Sequence, residues 1–501
     1  MNINSLSFLL FCVITLAAYF ALQNTGFQKY VLLIADGVLF VSLTGYKSLI
    51  VAALIATLVF LIAVRIEKCQ SVKTRKCLMW FGVIISLGTL VFFKFFTGLL
   101  SDVITRLFSA DSYLLPVLVP VGIAYYSLSM SGYIIDVYHK KYPAETDYFA
   151  FLGFIFFFPS LVEGPINLYK KMIGQIKENH TFDWDRTVRG LQRILWGYVK
   201  KVVIADRIGI IVMGILKDPS SHGSLTILAL LLYSFQIYAD FSGGIDVVMG
   251  VSEIMGYTLT ENFRAPLLSK SVTEYWQRWH KSLGDWMEKY IYYPIVLNRK
   301  MITFSKKIKS KYYSKAFSAI VASIVVFVIV GIWHGTGWNY VLYGMYQAIF
   351  VSSAIVLAPA YKAIKQKLHV NEESMSWTLF CIIRTFGLLT FGRMLIKAAN
   401  MVQIADLISR MMYFDNIGAL FDGSIYKYGL DFKNWNVMIL GIVLLVVVDI
   451  LNNKKIYIRD YLAKQDIVFR YAVYMIGLFA IIILGIYGDE LTAASFIYAG
   501  F

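Results

Sequence analysis

The stretch Val330-Gly331-Ile332-Trp333-His334-Gly335-Thr336-Gly337-Trp338 closes an apolar run, 317–333, with a histidine. An ionisable group at membrane depth is costly, so it marks a functional site by default. A second Trp-His pair lies in Tyr275-Trp276-Gln277-Arg278-Trp279-His280-Lys281-Ser282-Leu283. The chain holds six histidines, and two of them in Trp-His pairs single out both positions.

Working outward, the composition sets the solvent. Of 501 residues, 58% are hydrophobic and 16% charged, too apolar for a water-soluble domain of this length. Runs of about eighteen or more apolar residues recur, the length a helix needs to cross a bilayer. The fold class expected is therefore all-α, a polytopic membrane bundle, because hydrocarbon offers an unpaired backbone no partner. The net charge of +16 would suit a nucleic-acid binder, but the basic residues cluster in loops between apolar runs. That is the positive-inside pattern, and no nucleic-acid partner is needed to explain it. Cys12, Cys69, Cys77 and Cys381 have no metal-ligand spacing and suggest no disulfide framework, so no bound metal or cofactor is expected. The first run, 5–22, lacks a basic leader and reads as a span rather than a cleaved signal.

Candidate spans fall near 4–22, 31–46, 49–64, 78–98, 114–135, 149–166, 189–215, 223–240, 317–333, 338–357, 376–396, 436–451 and 468–487. Pro159 and Pro165 interrupt one of them, and 189–215 carries Arg193, Lys200, Lys201, Asp206 and Arg207, more charge than a lipid-facing helix should hold. Basic loops around 65–76, 306–315, 362–367 and 454–464 are read as cytosolic. The first two enclose five candidates, an odd number, so one is re-entrant or 240–316 hides a crossing. Both termini and the 397–435 segment then fall outside. The whole chain, 1–501, reads as one membrane domain.

The polar, aromatic stretch 240–316 holds an expected helix, 271–290, opened by a capping box at Ser271-Val272-Thr273-Glu274 and closed by Pro294. Trp276, Trp279, His280, Leu283, Met287 and Tyr290 would share one face, with Arg278, Lys281, Asp285 and Lys289 on the other. His280 suits a supporting role, orienting groups around a base. Asp240 and Asp246, in Tyr238-Ala239-Asp240-Phe241-Ser242-Gly243-Gly244-Ile245-Asp246, would orient a histidine or balance Arg264, Arg278 or Lys281, with plain charge pairing preferred.

Together with Glu261-Asn262-Phe263-Arg264-Ala265-Pro266, Val119-Pro120-Val121-Gly122-Ile123-Ala124-Tyr125-Tyr126 and Phe158-Pro159-Ser160-Leu161-Val162-Glu163-Gly164-Pro165, the two Trp-His motifs resemble the membrane-bound O-acyltransferase (MBOAT) superfamily. The similarity runs from roughly 115 to 350 and is nearest to the bacterial branch with the alginate, peptidoglycan and cellulose O-acetylation components and the teichoic-acid D-alanyl transfer protein. Tyr275 and Gln277 depart from that family's Phe-Trp-Arg-Arg-Trp-His form. The resemblance implies a bundle of about eleven to thirteen helices, some re-entrant or broken, with a funnel at each face and a thin core holding the family's histidine. It divides the chain into N-terminal helices 1–112, a catalytic core 113–358 and C-terminal helices 359–501. His334 matches the family's characteristic histidine and His280 its second. The ending Phe496-Ile497-Tyr498-Ala499-Gly500-Phe501 resembles the Phe-x-Tyr-x-x-Phe tail of acetyltransferase members, whose tyrosine carries the acyl group.

The expected chemistry moves an acyl group, in the first place acetyl, from a cytosolic thioester such as acetyl-CoA or an acyl carrier protein toward an exported polysaccharide. His334, His280 and Tyr498 are the expected catalytic residues; Trp279, Trp333, Arg278, Lys281 and Asp240 are the expected substrate-binding ones. A phenol ionises near pH 10 and leaves more readily than a sugar alkoxide, so thioester to tyrosine to sugar runs downhill. An extracytoplasmic partner would complete transfer to the glycan. Three alternatives stay open: D-alanyl transfer to teichoic acid, a lipid-linked-substrate transporter, and a scaffold of a glycan-export complex.

Overall fold

The computed structural model describes residues 5–96, 119–221, 223–413 and 417–487. Among them all regular structure is helical. The described chain forms two compact units, one from 1–197 and 244–260, the other from 198–243 and 261–497.

The first unit contains α1 (Leu6–Ala21), α2 (Gln28–Thr44), α3 (Tyr46–Lys68), α4 (Val72–Val91), α5 (Ile123–Tyr138), α6 (Tyr148–Phe156), α7 (Tyr169–Lys177) and α8 (Trp184–Tyr198). Gly82 lets α4 close on its neighbours: a Cβ there would strike Ile134 of α5 and come within 3.3 Å of Ile62 of α3. Small residues at such crossings replace the hydrophobic driving force that lipid does not supply. The segment 119–126 packs on 158–165. Gly122 has φ +71°, a left-handed conformation suited to glycine, and a Cβ on it would strike the Leu161 carbonyl. Asp147 caps α6 by accepting from Phe149 and Ala150 N–H groups, both at 3.0 Å. At about 1.5 Å per residue, α6 is far too short to cross a bilayer alone. Its run, expected over 149–166, breaks at Phe157 and a 3-10 turn containing Pro159.

The second unit carries α9 (Asp206–Lys217) and the first part of α10 (Gly223–Met255). It continues with α11 (Val272–Arg278), α12 (Lys281–Met287), two short helices, α13 (Tyr293–Val296) and α14 (Arg299–Ser305), then α15 (Lys311–His334), α16 (Trp338–Val356) and α17 (Ala358–Lys367). It ends with α18 (Met375–Lys397), α19 (Met401–Met412), α20 (Phe432–Asn453), α21 (Ile458–Leu462) and α22 (Ile467–Leu484). The apolar side chains of α22 point outward: Ile476 is 68% and Ile483 73% exposed. Water would penalise that face; hydrocarbon does not.

Seven described helices are long and apolar enough to span a membrane, or eight if the pair α16–α17, bent by 63°, counts as one. The chain is a multi-pass membrane protein. Some of the thirteen apolar runs were expected to be re-entrant or broken, and among the described residues α1 and α6 are short, while over 184–217 α8 gives way to a π-helical turn, 199–205, before α9. The run expected at 223–240 instead continues to Met255. Its carboxylates do not end the helix because cations neutralise them: Asp240 pairs with Lys201 at 2.6 Å, and Asp246 with Arg193 at 2.9 Å.

Candidate active site

His334 is the last residue of α15, and its position follows from how α15 meets α16. A Cβ on Gly331 would strike the Tyr340 carbonyl and lie 3.1 Å from the Gly344 Cα; one on Gly344 would strike the Phe327 carbonyl. Two glycines thus face each other at the crossing and bring Tyr343 beside the histidine. The His334 ring is 6.1 Å from Tyr343 and 5.0 Å from Trp333, edge-on to both, and only 2% of the residue is exposed.

His280 is held differently. The helix expected over 271–290 breaks at Trp279, which is extended, and at His280, which is left-handed with φ +47° and ψ +50°. A non-glycine residue held there stores local strain, a feature that clusters at functional sites. Asn262 makes the break stable. Its carbonyl accepts from the Lys281 N–H and its side-chain oxygen from the Ser282 N–H, each at 3.0 Å. These are the first N–H groups of α12, for which a helix has no acceptor of its own. Arg264 N–H donates to the Arg278 carbonyl at 2.9 Å, fixing the preceding turn. The motif 261–266 is therefore a clasp around the histidine.

The other details of the central helix differ from expectation too. Ser271 Oγ accepts from the Glu274 N–H at 3.1 Å, as a cap should, but Glu274 reaches the Lys270 N–H instead of the Ser271 one. Pro294 sits in the first turn of α13, where a missing N–H costs nothing, and does not end the segment.

Around the break stands an aromatic cage. Phe241 lies 5.0 Å from the His280 ring, and Trp333 lies 5.8 Å away. Trp333 thus touches both histidines. Trp279, 2% exposed, stacks on Tyr275 at 5.5 Å and meets Phe263 at 5.0 Å. Burial in this cage pushes the His280 imidazole down to about 3, so it is neutral at physiological pH.

The expected binding residues divide. Trp333 lies against both histidines, while Trp279 packs on Tyr275 and Phe263. Arg278 pairs with Glu274 at 2.6 Å and donates to Asn453 at 2.9 Å. Lys281 uses its N–H on Asn262 and is half-buried. Asp240 was expected near Arg264, Arg278 or Lys281; it is buried against Lys201, which also meets Asp206 at 3.0 Å. Lys201 comes within its reach because the π-helical turn carries it inward. Tyr498 lies outside the described residues. Asn262, Tyr343 and Arg393 were not among the expected site residues. Asn262 lies within the quoted 261–266 motif, and Arg393 stood out as a cation inside an apolar run.

The profile of the family described as "MBOAT, membrane-bound O-acyltransferase family" matches residues 139–388. A protein named "Probable alginate O-acetylase AlgI" from Pseudomonas aeruginosa is 30% identical over 412 residues, 81% of this chain and 73% of that protein. The chain belongs to the membrane-bound O-acyltransferase family. Its other MBOAT relatives include the peptidoglycan O-acetyltransferase of Helicobacter pylori, 26% identical over 80% of this chain and 77% of that protein. The teichoic acid D-alanyltransferase of Bacillus subtilis is 28% identical over 54% of this chain and 67% of that protein. The chain is thus an MBOAT acyltransferase, and acyl transfer is the chemistry its site must perform.

Proposed function

We propose that this MBOAT enzyme O-acetylates an exported or cell-wall polysaccharide, taking acetyl from a cytosolic thioester such as acetyl-CoA, with His334 as general base. The observation that carries the reading is His334 itself: buried at the end of a spanning helix, walled by Trp333 and Tyr343. Hydroxyls are weak nucleophiles at neutral pH and need a base within hydrogen-bond reach. His334 takes the hydroxyl proton while the oxygen attacks the thioester carbonyl. The tetrahedral oxyanion collapses, the C–S bond breaks, and the thiolate receives the proton from the imidazolium. His280, neutral and rigidly caged, supports the geometry rather than exchanging the proton. Tyr498 is the first acceptor, and its ester passes the acetyl group to an extracytoplasmic partner acting on the glycan. Arg278 and Lys281 flank the entry for an anionic donor, a coenzyme A phosphate or an acyl carrier protein. Placement in a bacterial plasma membrane fits the relatives' names and this route.

Mass spectrometry of the purified chain after exposure to acetyl-CoA tests this. An acetyl group on Tyr498, absent in His334→Ala and in Tyr498→Phe, is the expected result. Wild-type protein that neither gains an adduct nor hydrolyses acetyl-CoA, yet is acylated by a D-alanyl carrier protein, would replace acetyl with D-alanyl. Inertness toward both donors would overturn the reading.

A further inference from the structure

Arg393 is a cation that the proposed chemistry has not used. It lies in the spanning helix α18, is 3% exposed, and no carboxylate pairs with it among the described residues. Its guanidinium sits over two aromatic faces, 5.3 Å from the Tyr275 ring centroid and 5.6 Å from that of Trp279. Nη2 donates to the Tyr275 hydroxyl at 3.1 Å, while Nη1 is buried with no hydrogen-bond partner among the described residues. The Tyr275 hydroxyl donates to none of the described residues, so its proton is uncommitted.

Packing alone does not account for a charge kept here. Cation–π contact and the dipole of a helix C-terminus offset only part of what it costs to take an ion out of water. Acyl transfer forms an anion transiently, the oxyanion of the tetrahedral intermediate, and a buried cation favours such a charge as it develops. Arg393 is well placed for it. On α18, Gly392 admits α16 closely, since a Cβ there would be 2.9 Å from Gln347 Nε2. Tyr343, the residue against His334, packs in one buried cluster with Met394 and Leu395, which follow Arg393, and with Trp276, which follows Tyr275. Trp276 Nε1 donates to Gln347 Oε1 at 3.2 Å, tying α11 to α16 beside the same tyrosines.

We propose that Arg393 is a positioning residue for acyl transfer, holding the Tyr275 hydroxyl as a hydrogen-bond donor toward the acyl oxyanion formed at His334. A hydroxyl that accepts from a cation is a stronger donor, and a preorganised donor needs no rearrangement when charge develops. Arg393 and Tyr275 keep their protons throughout; only the hydroxyl proton moves, through His334 to the leaving thiolate. This inference rests on His334 being the reacting centre.

Steady-state turnover of acetyl-CoA by the full chain in nanodiscs tests it, using wild type, Arg393→Met, Arg393→Lys, Tyr275→Phe and His334→Ala. Each variant is checked for a monodisperse profile and melting temperature. Losing an oxyanion donor typically lowers kcat about a hundred- to a thousandfold. Tyr275→Phe should fall in that range with KM for the donor little changed, and Arg393→Met, which leaves the hydroxyl in place, should lower kcat by less. Arg393→Lys should recover part of the Arg393→Met loss. Should Arg393→Met fail to fold, Arg393→Lys and Tyr275→Phe carry the test through the same split of kcat from KM. Folded variants with wild-type kcat, or a loss confined to KM, would overturn the inference. If His334→Ala is inactive while Arg393→Met and Tyr275→Phe turn over normally, this inference fails alone. If His334→Ala keeps wild-type turnover, or wild type turns over neither acetyl-CoA nor a D-alanyl carrier protein, the site reading fails with it.

Discussion

The two histidines sit on opposite kinds of scaffold. His334 ends a spanning helix of 24 residues, and a glycine crossing with α16 sets its place. His280 lies in a break between two helices of seven residues each, in a left-handed conformation, and a loop clasps it through Asn262. One is placed by helix packing and the other by local backbone hydrogen bonds. The same residue type is thus held in two ways, and Trp333 joins them by touching both rings.

This contrast can be broken from several sides. The largest effect expected is from His334→Ala, which should cost about a hundred- to ten-thousandfold in acyl-transfer rate, the usual worth of a positioned base, with little change in stability. Gly344→Val should strike the α15–α16 crossing. Overpacking of this kind costs about 1–3 kcal/mol, so a lowered melting temperature together with lost activity would tie His334 to the crossing. Asn262→Leu removes one accepted hydrogen bond at the start of α12. Loss of a cap costs about 0.5–2 kcal/mol, and the melting temperature should drop while activity falls only in part. The smallest effect concerns pH. Burial takes the His280 imidazole from its ordinary 6.5 to about 3, so on acidification the unfolded chain binds the proton first. Its contribution is fully present above about pH 6.5 and is lost progressively as pH falls toward 3. Melting temperatures of wild type should decline over that window more than those of His280→Gln.

Much of this was legible in the sequence. The apolar runs identified a helical membrane protein, and the two Trp-His motifs and 261–266 meet in one place in the fold. What escaped were consequences of tertiary contact. The three-and-four spacing of Trp276, Trp279 and Leu283 describes an unbroken helix, whereas in the fold Asn262 accepts from the Lys281 and Ser282 N–H groups and supports a break at His280. Asp240 looked available for Arg278 because the π-helical turn that carries Lys201 inward has no signature in residue order. Tyr343 reads as one more aromatic in an apolar run until Gly331 and Gly344 are seen to face each other.

The most direct test compares acyl-transfer turnover of His334→Ala and His280→Gln in the full-length protein, both shown to be folded. The account predicts that His334→Ala loses activity by a hundredfold or more while His280→Gln keeps a clearly larger share. Near-normal turnover by His334→Ala with an inactive His280→Gln would contradict it, moving the base to the clasped break.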